Sequence, residues 1–410
     1  MKQTHSSSIL NRLSETYIRL VLALGGHDAD YVDAYYGPPS LKGEPLPLDA
    51  IRRGAVAAVG ELRTLSFNRM DSMVRLRHQY LVRQLQSLFA RVEMLGGKKF
   101  TFDEESKALY DAVAPSHTEE HFAGLRDELG KGLPGQGGVP ERFDAYRKRF
   151  VIPREKLDAV FQAAINESRA RTAKRITLPE GESFTVEYVT GKSWSGYNWF
   201  KGNCHSLIQV NTDLPITIDR AVDLASHEGY PGHHVYNSLL ETHLVRERKW
   251  MEFTVYPLFS PQSLIAEGTA NFGIDMAFPG EERVAFERET LFPLAGLDGR
   301  EAEEYYRLHA LFLKLAYAGN EAARRYLDGS FTRAQAADYL VNYALMSPER
   351  AEQRTKFFDQ YRSYVINYNL GQDMVKRFIE SAGGTPDNPD VRWKIFEELI
   401  SSPRLPSGLL

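Results

Sequence analysis

The stretch from Asp223 to Tyr236 reads DLASHEGYPGHHVY and places three histidines and a glutamate between positions 227 and 234. Imidazole and carboxylate are what zinc takes when cysteines are lacking, and the chain holds one cysteine, Cys204. In the common zinc-binding helix HExxH, two histidines one turn apart share an ion and the glutamate acts as general base toward water. His227 and Glu228 open such a motif, but the next histidines, His233 and His234, come six and seven positions after His227 instead of four. On a regular helix they would lie roughly 9 and 10.5 Å along the axis from His227, at about 1.5 Å per residue. That is too far to share an ion. The intervening residues supply a way to close the gap. Pro231 removes the bond to the His227 carbonyl and clashes with it, and Gly232 can take backbone angles closed to other residues. A two-residue expansion puts His233 in the place of the second histidine; a three-residue one puts His234 there. The smaller distortion favours His233, leaving His234 as the alternative ligand or as a donor to an oxyanion. A lone His-Glu pair on a helix is an ordinary structural feature; the break and the further histidines set this one apart.

Two histidines call for a third ligand, often a carboxylate, and an open position. Glu267, in SLIAEGTANFGIDMAF, stands among small and apolar residues where a carboxylate is costly unless paired or metal-bound. An exposed helix glutamate is the plainer reading. Asn271, one turn on, could orient a ligand histidine, and Asp223, one turn before His227, is a weaker candidate for the same task. The hypothesis is zinc held by His227, His233 and Glu267, with Glu228 taking a proton from a water that attacks a carbonyl and delivering it to the leaving amine. The substrate would be a peptide or small amide. An extended peptide could pair along the strand expected at 205–212, with Asn211 contacting its backbone. Trp194, Tyr197, Trp199 and Phe200 could line a cleft or simply pack a hairpin. Cys204 and His205 read as strand residues, not as a nucleophile and its base, and no GxSxG is present. Two rivals are a zinc hydrolase of non-peptide amides or esters and a non-catalytic, metal-stabilised binding protein.

HEGYPGHH at 227–234 and EGTA at 267–270 resemble the HExxPGHH and EGWA-like segments of the bacterial family catalogued as domain of unknown function 885, whose members look like distant gluzincin metallopeptidases. VNTDLP at 210–215, HDADYVDAYYGPP at 27–39, and Tyr368 with Gly371 in YVINYNLGQ resemble further family segments. Thr269 stands where tryptophan is usual, and Val-Tyr-Asn follows His234 where glutamine is frequent. The resemblance implies a gluzincin-like architecture with the metal helix following a short sheet. It also makes Tyr368 the first choice for stabilising the oxyanion beside zinc, with Tyr364 and Arg362 as alternatives.

The elements that must position these residues read as mainly α with a small β-sheet. Helical periodicity runs through 50–66, 69–96, 104–114, 117–130, 139–149 and 153–174, with Asp103 and Thr118 at N-cap positions. KGLPGQGGV at 131–139 is a connector. ESFTVEYV and HSLIQVNT alternate as strands around SGYNWFKGN, read as a turn. Helical pattern resumes near Ile218, with breaks near 257–261, 279–281 and 293–299. We expect an N-terminal helical region, 1–180, and a catalytic region, 181–410, packed as one unit. Lys plus Arg is 50 against 54 Asp plus Glu, a formal charge of −4, which gives no reason to expect nucleic acid or an anionic membrane as partner. The apolar run IRLVLALGG is too short to span a bilayer, and a single cysteine fits a reducing compartment; cytoplasmic location is the expectation. The sequence sets no oligomeric state.

Overall fold

The computed structural model describes residues 2–65 and 71–410. Long helices Lys2–Gly25, Leu48–Thr64 and Ser72–Leu95 pack together at the start of the chain. The predicted helix ends at residues 66 and 69–70 lie outside the described residues. Thr118 caps its helix as expected, accepting from the His121 amide. Asp103 does not: the cap is Thr101, which forms a reciprocal capping box with Glu104 and leaves Asp103 in the first turn. That helix, Phe102–Tyr110, stops short of the predicted 114 because Asp111 turns left-handed at φ 56°.

The region 183–212 forms one three-stranded sheet. Its strands are β2 (Ser183–Val189), β3 (Gly196–Gly202) and β4 (His205–Asn211), after β1 (Val32–Tyr35) near the N-terminus. The order is β2-β4-β3, with β2 parallel and β3 antiparallel to β4. Gly196–Gly202, expected to be a turn, is therefore a strand, and the turn is Asn203-Cys204. Both residues have positive φ, 56° and 53°, as a two-residue hairpin requires, and Glu241 accepts both of their amides. β4 is central, so it offers no free edge to a peptide; β3 does. A second, two-stranded sheet pairs β1 with β5 (Val255–Pro257) antiparallel, a pairing the sequence did not suggest.

That pairing spans the expected division at 180, as do other contacts. Buried Glu252 accepts from Arg77 Nε and Nη2 at 2.5 and 2.9 Å and from Ser14 Oγ at 2.7 Å, while Tyr80 donates to Gln262 at 2.6 Å. One apolar core takes in residues from Leu10 to Leu409. Among the described residues no helix is long and apolar enough to cross a membrane.

Candidate metal centre

The chain enters the site along helix Asp219–Leu224, which widens into a π-helical segment, Ala225–Gly229. There the Tyr230 amide bonds to the Ala225 carbonyl, five residues back, and the Gly232 amide bonds to that of Ser226, six back. Pro231 cannot donate, and its peptide bond to Tyr230 is cis. A Cβ at Gly232 would fall on the carbonyls of Ser226 and His227, so the tight return after the break requires glycine. A new helix, His233–Leu240, begins at once. This winding brings His233 back beside His227, with their Nε2 atoms 3.1 Å apart.

The third group comes from helix Pro261–Ala277. Glu267 Oε2 lies 3.2 Å from His227 Nε2 and 3.7 Å from His233 Nε2. Among the described residues these three form the cluster able to hold a metal ion. Zinc bonds of about 2.0–2.2 Å in a tetrahedron place neighbouring ligand atoms about 3.3–3.5 Å apart, and the observed edges straddle that range. The donor set is also held for the task. Asn271 Nδ2 donates to the Tyr368 carbonyl at 2.9 Å, which turns its Oδ1 toward His227 Nδ1, also at 2.9 Å. The network thus places the imidazole proton on Nδ1 and a lone pair on Nε2. Tyr364 Oη donates to Glu267 Oε1 at 2.7 Å, whereas Oε2 is buried and lacks a hydrogen-bond partner among the described residues. Two imidazole nitrogens and a partnerless carboxylate oxygen around one point fit a divalent cation. Burial raises the Glu267 carboxyl, and His233 and His227 more than reverse that, holding it well below the usual range.

Glu228 is buried next to this triangle without joining it. Burial pushes its carboxyl up to about 7; Glu267 and Asp33 reinforce the rise, and His233 and Arg220 oppose it. Asp33, on β1, is a neighbour that reading the sequence did not single out. Burial lifts it to about 6 against a hydrogen bond from Tyr197 and the pull of His233. The only hint was its place in the segment HDADYVDAYYGPP. The site opens into a cavity of about 750 Å³. Tyr368, Trp194, Tyr197 and Phe200 line it, while Trp199 turns its Nε1 to Gln209 on the sheet.

Several expected residues stand elsewhere. His234 is fully buried with Nδ1 on Ser206 and Nε2 on Glu182, both at 2.9 Å, so it neither binds with His227 nor faces the cavity. As the second residue of helix His233–Leu240 it faces Ser206 on β4. Arg362 is tied to Glu105 at 2.7 Å, and Tyr364 orients a ligand. Asp223 pairs with Arg220 and Arg283 at 3.0 and 2.8 Å. Asn211 spends its amide on the carbonyls of Lys192 and Trp194. Cys204 is buried in the hairpin turn, and His205 bonds Ser183.

No family model matches the chain, and no curated protein matches it. Among solved structures it is similar to a candidate lipoprotein from Colwellia psychrerythraea, 16% identical with a TM-score of 0.50, over 88% of this chain and 68% of that one. It is also similar to a candidate lipoprotein of unknown function from Shewanella oneidensis, 13% identical with a TM-score of 0.51, over 88% and 72%. At those identities the likeness is one of fold alone.

Proposed function

We propose that this protein is a zinc-dependent hydrolase, a metallopeptidase of gluzincin-like architecture, as its resemblance to the family of unknown function 885 implies. The observation that carries this reading is the triangle of His227 Nε2, His233 Nε2 and Glu267 Oε2, with edges of 3.1, 3.2 and 3.7 Å, beside a buried carboxylate that is not part of it. A purely structural site would have no use for Glu228. Zinc, when bound, supplies Lewis acidity, polarising a carbonyl and acidifying water. Glu228 then accepts a proton from the attacking water at its carboxylate and passes it to the leaving nitrogen. Asn271 and Tyr364 hold His227 and Glu267 in orientation. Tyr368 faces the cavity, and its phenol is the donor we assign to the developing oxyanion. A cytoplasmic location goes with this reading on the strength of the single cysteine; recovery of the protein in the cell envelope would overturn that part.

Metal content of the purified protein tests the reading, with wild type compared against His227→Ala and Glu267→Ala. Near-stoichiometric zinc in wild type and its loss from both variants are expected. Glu228→Gln should keep the metal and lose cleavage of a peptide panel. A wild type that stays metal-free after zinc addition sinks the proposal.

A further inference from the structure

The cavity continues from the metal centre to a wall formed by helix Pro348–Tyr361, and four arginines line it. Two are already neutralised: Arg147 meets Asp219 at 3.2 Å, and Arg220 meets Asp223 at 3.0 Å. The other two, Arg350 and Arg354, have no carboxylate within ion-pair distance among the described residues. They sit one turn apart on the same helix, so their heads share a face.

Arg350 donates Nη2 to the Pro215 carbonyl at 2.6 Å. Burial, with Arg147 and Arg220 nearby, pulls it down to about 10. Arg354 makes no hydrogen bond among the described residues, and its Nε is buried without a partner. Its guanidinium lies 4.5 Å from the centre of the Phe357 ring and 5.8 Å from those of Phe358 and Tyr368. Ring faces offset only part of the cost of burying a cation. A counter-charge is missing from this wall, and the open cavity is where one can enter.

Tyr368 fixes the direction. One side of the residue meets Arg354, while the charges of Glu267 and Glu228 reach its phenol. Arg354 therefore stands about one side chain from the donor triangle, with Arg350 one turn before it on the same helix. A planar guanidinium fork suits a carboxylate, which it can bind through two parallel hydrogen bonds.

We propose that Arg350 and Arg354 form a carboxylate-binding subsite, so that the substrates are peptides with a free carboxy-terminal carboxylate, cleaved near that end. The subsite stands on the unpaired arginines; the cleavage rests on the hydrolase reading above. Water adds across the amide C–N bond, its hydroxyl going to the acyl carbon and its proton to the departing nitrogen. The products are a shortened peptide acid and a free amino acid or short peptide.

Calorimetric titration of the full chain, metal-free and zinc-loaded, with N-acetyl-dialanine and with its carboxy-terminal amide tests this apart from turnover. The acid should bind wild type roughly tenfold to a hundredfold tighter than the amide, as a charge-assisted pair replaces a neutral one. Arg354→Met and Arg350→Met should each bring the two ligands to within about threefold. Arg354→Lys, which keeps the charge without the fork, should retain part of the preference, and it carries the test if the methionine variant does not fold. Equal binding of acid and amide by wild type overturns the subsite. So does displacement of the acid by inorganic phosphate at equal concentration, which would make this a general anion site. A preserved acid preference in a zinc-loaded protein that cleaves no peptide would leave the subsite standing and remove the hydrolase reading.

Discussion

Replacing Gly371 by alanine should separate two helices that meet backbone to backbone. A Cβ at 371 would lie 2.8 Å from the Leu264 carbonyl oxygen, 2.9 Å from Gly268 Cα and 3.1 Å from the Gly268 nitrogen. All three are main-chain atoms, and none can rotate away. Relief to an ordinary contact of about 3.4 Å needs a separation of about half an ångström between helices Pro261–Ala277 and Ile366–Ser381, and gaps of that size forfeit a quarter or more of each dispersion contact they open. Overpacking of this kind costs about 1–3 kcal/mol, against about 1 kcal/mol gained because alanine is the better helix former. We expect a net change between about 0 and 2 kcal/mol of destabilisation in denaturant unfolding and weaker zinc binding, since Tyr364 and the Tyr368 carbonyl would move away from Glu267 and Asn271. Gly60→Ala is the control. That glycine is exposed in helix Leu48–Thr64 with nothing within 4 Å of a new Cβ, and the change should stabilise by about 0.5–1 kcal/mol. If Gly371→Ala stabilises as Gly60→Ala does, the close crossing is not what holds these helices.

Glu252→Gln leaves Arg77 buried without a counter-charge and should cost about 3–5 kcal/mol; a change below 1 kcal/mol in urea unfolding would refute the pairing as a major stabiliser. Burial depresses His309 to about 4 despite the Asp219 carboxylate 4.0 Å away. The unfolded chain therefore takes up a proton below about pH 6.5 that the folded one refuses. Stability from this group is present above that pH and lost as pH falls toward 4, by about 3 kcal/mol. His309→Gln should flatten that part of the stability–pH curve, and an unchanged slope between pH 6.5 and 4 would contradict it. Asn271→Leu removes the group that sets the His227 tautomer and should weaken zinc binding about 10- to 100-fold in a chelator competition; an unaltered affinity would show that the imidazole orients itself.

The helices and the meeting of His227, His233 and Glu267 were legible because their signals are local. Periodicity marks the helices, Pro231-Gly232 marks the break, and Glu267 stands out as a carboxylate among small residues. What stayed hidden depends on distant partners. β1 and β5 are four and three residues long, too short to display a period, and they pair Val32 with Pro257. β3 carries glycine and aromatics that read as a turn until β4 is laid beside it. His234 stays open as the alternative ligand to His233 until Glu182, 52 residues upstream, engages it. Arg354 resembles any helix-surface arginine in PERAEQRTKFFDQY, and its missing counter-charge exists only in three dimensions.

Gly268 and Gly371 join the local to the distant. In sequence they belong to two unrelated fragments, EGTA and YNLG. In the fold each glycine fills the space a side chain on the other would need, and the crossing sets Tyr364 against Glu267 and the Tyr368 carbonyl against Asn271. Two of the three donors are therefore aimed by one helix contact. His233 has no such support: among the described residues its Nδ1 has no partner, and its placement depends on the π-helical turn and the break behind it. The carboxylate and His227 would thus be set before an ion arrives, leaving His233 to close the triangle. On this argument His233→Ala should lower zinc affinity while leaving the metal-free protein as stable as wild type, to within about 0.5 kcal/mol. A larger loss of metal-free stability would mean that His233 also holds the break together.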